Sequence, residues 1–181
     1  MKYEVIDNFL DENYFYELAA IFNNDEKAIK TVPWFFQRTV TNNASEANIF
    51  YMTHMLYNSN APTSELYDTL FPLLQKLDAW CLMRIKANLY PNTHILHEHP
   101  MHDDYDFSHS AAILSLNTCD GYTKLNDGTK IDSIANRVLL FDASEKHCST
   151  TTTNVPARIN LNINYMQQQW SHNPIHFFKP Q

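Results

Sequence analysis

A chain of 181 residues holds one domain with a substantial core and is too short for two of ordinary size. With 44% apolar and 18% charged residues, it has the composition of an ordered globular protein. A net charge of −7 and 13 scattered Lys and Arg argue against binding to a phosphate backbone as the main activity, so no nucleic acid partner is expected.

The N-terminal stretch from Met1 to Phe15 is acidic where an export signal has a basic region and an apolar run. No segment reaches ~18 consecutive apolar residues. The expectation is a cytoplasmic protein with no membrane partner. Cys81, Cys119 and Cys148 are odd in number and lack a Cys-x-x-Cys spacing, so neither a disulfide framework nor a thiolate zinc site is expected. Histidine is the unusual count at nine, with His94, His97, His99, His102 and His109 in one short stretch.

From Asp11 to about Asn23 the apolar residues Tyr14, Phe15, Leu18, Ala19 and Phe22 recur at helical steps behind an Asp11 N-cap. The stretch from Val32 to Asn60 shows no sustained period and is read as irregular or short-stranded. Trp34, Phe35 and Phe36 within it are read as core, with a lid over a substrate as the lesser alternative. Pro62 opens a second helical pattern in which Leu66, Leu70, Leu73, Leu74 and Leu77 form a stripe running to about Trp80, kinked at Pro72.

From Arg84 onward the texture is β. Strands are expected at about Met83 to Tyr90, Ala111 to Asn117, Tyr122 to Leu125, Lys130 to Ile134, Arg137 to Phe141 and Ala157 to Tyr165. Short strands at close spacing, without helices between them, indicate a sandwich or barrel. In the last strand Arg158, Asn160, Asn162 and Asn164 alternate with Ile159, Leu161, Ile163 and Tyr165. That pattern suits either a surface strand or the lining of a hydrophilic cavity.

His102 and Asp104 form a His-x-Asp, and two ligands at i and i+2 on an extended segment point to one side and can reach one metal ion. His147, after the strand-like run ending in Lys146 and before the Arg158 strand, is the third candidate. Two imidazoles and one carboxylate leave coordination positions open for a bidentate oxoacid and dioxygen, whereas a structural site would be closed. Arg158 lies eleven residues beyond His147, far enough to return on a neighbouring strand, where its planar fork can take a carboxylate in two parallel bonds. An isolated His-x-Asp is more often a solvated pair; the ordered set with the arginine gives the metal reading its weight.

From about Asn88 to Tyr165 the chain resembles the iron(II)/2-oxoglutarate oxygenases, within them the prolyl-4-hydroxylase-like branch with small bacterial and viral members. The parts run in family order: Asn88-Leu89-Tyr90-Pro91, His102-x-Asp104, the strand from Ala111 to Asn117, Gly121 to Leu125, His147, Arg158. Tyr122 stands where a second glycine is more usual. The resemblance implies a double-stranded β-helix, a jelly-roll, cupin-like barrel, mainly β with N-terminal helices packed on the larger sheet. It implies a single domain over 1–181, with a helical or irregular part (1–80), a jelly-roll core (81–166) and a tail (167–181).

The resemblance further implies iron(II) held by His102, Asp104 and His147, and 2-oxoglutarate held by Arg158 and Tyr90. Dioxygen is the oxidant and ascorbate an optional reductant. Hydroxylation of an unactivated carbon would yield succinate and carbon dioxide. The first substrate expected is a peptidyl proline or another peptide side chain, with a small molecule as the other class. The rival from another class is a cupin-like module that binds a metal or small acid without turnover, and a zinc or manganese hydrolase or isomerase is a third. His97 and His99 are read mainly as a solvated strand face, Asp103, Tyr105, Asp106 and His109 as a loop that could meet substrate, and Cys148 as a packing residue.

Overall fold

The computed structural model describes residues 2–26, 28–40 and 49–167. Strand β1 (Tyr3–Ile6) is followed by helix α1 (Glu12–Phe22), β2 (Phe35–Gln37), β3 (Tyr51–Asn58) and the two-residue β4 (Ala61–Pro62). A 3-10 turn (Tyr67–Leu70) runs into helix α2 (Phe71–Lys76), and then come β5 (Ala79–Pro91), β6 (Ser110–Ser115), β7 (Tyr122–Leu125), β8 (Lys130–Asp132), β9 (Val138–Asp142), β10 (His147–Ser149) and β11 (Ala157–Gln167). No described helix is long and apolar enough to cross a membrane. The expected 167–181 tail lies, beyond Gln167, outside the described residues.

The larger sheet has the order β1-β9-β6-β11-β5-β3-β2, with β4 paired to β3, and the smaller has the order β10-β7-β8. All the named pairings are antiparallel. The segment before β6 lies along the open edge of the smaller sheet through isolated bridges Glu98↔Thr150 and His102↔His147. That edge brings the histidine-rich stretch alongside β10.

One face of the larger sheet is dry. Ile159, Leu161, Ile163 and Tyr165 of β11 pack there with Leu18 and Phe22 of α1 and with Leu70, Leu73 and Leu74, each such side chain contributing roughly 1.5–3 kcal/mol of burial. The Tyr14 hydroxyl of α1 donates to the Thr69 carbonyl at 2.8 Å, tying the helix to the 3-10 turn. Between the two sheets a smaller cluster, Ala111, Ile113, Leu125, Leu139, Phe141 and Ala143, closes one part of the sandwich.

Two expectations need correction. The helix from Pro62 to about Trp80 is not continuous: Pro62 pairs with Tyr57 in β4, and Pro72 opens the short α2 instead of kinking a long helix. The leucine stripe is buried all the same, because a 3-10 turn and one short helix present those positions to the same core. Phe35 and Phe36 are exposed on the edge strand β2, not core, while Trp34 packs partly against the core.

Candidate metal and carboxylate site

His102 and His147 face each other across the sheet edge, each donating its backbone N–H to the other's carbonyl, at 2.9 and 2.8 Å. That register sets the two ring centroids 4.7 Å apart. Asp104 is anchored two residues on by its backbone N–H to Ala143 O at 2.9 Å. One ligand atom each from His102, Asp104 and His147 lie within 4.8 Å of one another. The three side chains can therefore share one ion.

The protons are arranged for a cation. His102 Nδ1 is 3.2 Å from Pro100 O and His147 Nδ1 is 3.1 Å from Glu145 O. Each carbonyl can only accept, so a neutral ring at either position donates from Nδ1 and presents the Nε2 lone pair to a metal. Burial first, and then the neighbouring His102, pull the His147 pKa down from 6.5 to about 4, keeping that ring neutral. Burial opposes ionisation of Asp104. Arg84, His147 and the Asn162 donor outweigh it and hold the carboxyl well below its ordinary range. Arg84 Nη2 lies 2.6 Å from Asp104 Oδ1, and Asn162 Nδ2 donates to Oδ2 at 3.0 Å.

Arg158 is 1% exposed. Its Nε donates to Ser133 Oγ at 2.5 Å, Nη2 to Thr123 Oγ1 at 2.9 Å and Nη1 to Thr150 O at 3.3 Å. Its guanidinium stands 5.4 Å from the centroid of the Tyr90 ring. Among the described residues no carboxylate lies within ion-pair distance of it. A fully buried guanidinium with three neutral partners and no counter-ion is costly by itself, which is the condition a carboxylate ligand relieves. Arg158 sits one layer behind the cavity wall. Thr123 and Tyr90, which it touches, line a cavity shared with His102 and His147. The whole polar row of β11, Arg158 to Asn164, is buried, so the cavity-lining alternative holds for that strand and the surface alternative does not.

The other candidates fall elsewhere. His94 and His97 are exposed, whereas His99 is buried with its ring 5.4 Å from that of Tyr90. His109 is buried and its Nε2 is 2.9 Å from Asn164 Oδ1, at the end of the polar row and outside the ligand set. Tyr105 packs on His109, while Asp103 and Asp106 are exposed. Cys148 is buried in β10 and burial pushes its thiol pKa up, as befits a packing residue. Sequence reasoning missed Arg84 and Lys86. The signal was available: Arg84, Lys86, Asn88 and Tyr90 alternate on β5 and stand opposite Asn164, Asn162, Asn160 and Arg158.

No family model and no curated protein matches the sequence. Solved structures do. A Pseudomonas putida prolyl-4-hydroxylase superposes with a TM-score of 0.57 at 17% identity, covering 91% of this chain and 92% of that one. A Trichoplax adhaerens prolyl hydroxylase, in complex with a peptide fragment of the hypoxia inducible factor oxygen degradation domain, gives 0.58 at 16%, covering 91% and 83%. A Burkholderia pseudomallei oxidoreductase of the 2OG-Fe(II) oxygenase family gives 0.63 at 12%, covering 92% and 85%. The chain has the double-stranded β-helix fold of the prolyl-4-hydroxylases and other 2-oxoglutarate/iron(II) oxygenases.

Proposed function

We propose that the protein is an iron(II)- and 2-oxoglutarate-dependent dioxygenase that hydroxylates an unactivated carbon. The observation that carries this reading is the convergence of His102, Asp104 and His147, the two histidines lining one cavity with Tyr90 and Thr123, the partners of an un-neutralised, buried Arg158. A binding module for metal alone has no use for a second buried cation, which speaks against the cupin-like alternative.

His102, Asp104 and His147 would hold iron(II) and leave open positions on one side. Once bound, the metal with 2-oxoglutarate and dioxygen supplies oxidative decarboxylation and insertion of one oxygen atom into a C–H bond. Arg158 and Tyr90 would fix the distal carboxylate, a charge-assisted contact that orients the keto acid. Arg84 and Asn162 hold the Asp104 carboxylate by both oxygens. A peptide is the substrate class favoured. The exposed rings of Phe36 and Phe50, with centroids 5.4 Å apart, offer an apolar surface to a peptide side chain, and a peptidyl proline is the first substrate to test.

The test is anaerobic. Iron(II) and 2-oxoglutarate added to the full chain should give the weak visible band of the keto-acid chelate, and His102→Ala or His147→Ala should abolish it. Arg158→Ala should lower 2-oxoglutarate affinity about 10- to 100-fold, the loss expected for a hydrogen bond to a charged group. Mass spectrometry of proline-containing peptides should then show an oxygen-dependent gain of one oxygen atom. No band in the unaltered protein, or unchanged affinity in Arg158→Ala, overturns the assignment.

A further inference from the structure

The cavity wall carries a second cation that the reading above leaves unused. Lys86, on β5, lines the same cavity as His102 and His147. Arg84, the neighbouring cation, takes the Asp104 carboxylate at 2.6 Å. Among the described residues no carboxylate lies within ion-pair distance of Lys86 Nζ. That ammonium stands 5.6 Å from the centroid of the Tyr51 ring. Tyr51 stacks on Tyr90, centroids 5.6 Å apart and planes 11° apart, and Arg158 stands over Tyr90 in turn. A fully buried guanidinium and a half-buried ammonium thus flank one stacked aromatic pair, the ammonium at the metal end and the guanidinium at the far end.

We propose that Lys86 is a positioning residue for the carboxylate at the keto-acid end of 2-oxoglutarate, with Arg158 taking the distal carboxylate. The inference rests on the oxygenase reading above. A dianion with a carboxylate at each end neutralises both cations, whereas a monoacid would leave either the buried Arg158 or the half-buried Lys86 uncompensated, a costly state. Neither aromatic contact replaces a counter-ion, since a cation over a ring recovers only part of what burial costs. The free space of the cavity is about 20 Å³, room for a water-sized group. The flexible four-carbon stem of Lys86 can move aside and pair with an entering acid.

The experiment is calorimetric titration of the manganese(II)-loaded full chain, without oxygen, with 2-oxoglutarate and with 2-oxovalerate, which keeps the keto-acid end and carries a methyl in place of the distal carboxylate. Lys86→Met keeps the length of the stem and removes the charge. It should weaken both acids by the same factor, about tenfold or more, without lowering manganese(II) affinity. Arg158→Gln should weaken 2-oxoglutarate alone. Lys86→Gln is the second variant if the Met form folds poorly. Three results overturn the assignment: both acids binding Lys86→Met as tightly as the unaltered protein, which would turn the ammonium toward the primary substrate; loss of 2-oxoglutarate only; or a parallel loss of manganese(II) affinity, which marks a merely structural role. An unaltered protein that binds manganese(II) and neither acid instead sinks the oxygenase reading itself, before any substitution is made.

Discussion

Arg158 depends on a residue with no side chain. A Cβ built on Gly121 would stand 2.7 Å from Arg158 Cδ, 2.7 Å from Thr151 O and 3.0 Å from Thr150 Oγ1. The first contact could shift; the second is backbone and cannot move cheaply. Glycine is therefore required here by close approach, not by an unusual backbone angle. Gly121→Ala should push the arginine out of line or spread β7 from the Thr150 segment, costing about 1–3 kcal/mol as overpacking usually does. On the proposed function it should weaken 2-oxoglutarate while sparing manganese(II) binding, because His102, Asp104 and His147 lie on other segments. Titration of the variant with both ligands checks this, and equal retention of both would show that the wall yields.

At the scale of elements, legibility followed how many residues share a pattern. β11 was readable in outline because nine alternating positions repeat one period, and their faces prove to be the dry core and the cavity. His102 and Asp104 were readable as a pair because extended backbone makes i and i+2 neighbours, and the fold brings both within reach of His147. β10 is only three residues long and β1 only four, and neither is set off by a glycine turn as the equally short β7 and β8 are by Gly121 and Gly128. The Leu66 to Leu77 stripe misled for the opposite reason: burial was right, but the positive φ of 51° at Asp78 and the pairing of Pro62 with Tyr57 break the chain direction at both ends. The α1 start was legible down to its cap. Asp11 Oδ1 accepts from Asn13 N at 3.1 Å and Tyr14 N at 3.2 Å, so Asp11→Ala should cost about 1 kcal/mol. In a domain of this size that lowers the melting temperature by roughly 2–4 °C. A calorimetric scan that finds no shift would remove the cap from the account.

The whole molecule joins a dry layer, between the larger sheet and the helices, to a polar layer between the sheets. The dry layer carries the stability that the polar one consumes. Lys86 makes that cost measurable. Burial, and then the like charge of Arg84, pull its pKa from 10.5 down to about 8. Between those values the unfolded chain binds the proton that the folded chain has lost, so the unfolded state holds more protons and stability rises with pH across that window. Below about 8 both states are protonated and the folded protein bears the full penalty, on the order of 3 kcal/mol at 1.36 kcal/mol per pKa unit. Other groups titrate nearby: burial raises Tyr14 and Tyr165 to about 12, which makes stability fall above the ordinary tyrosine value. The clean quantity is therefore the difference between Lys86→Met and the unaltered, metal-free protein in urea unfolding. It should favour the methionine form by the full amount near pH 7 and shrink toward zero as pH passes about 10. A difference that is flat across that range means that Lys86 carries no buried charge in the ligand-free state, and the same result would remove the electrostatic motive for its pairing with an acid.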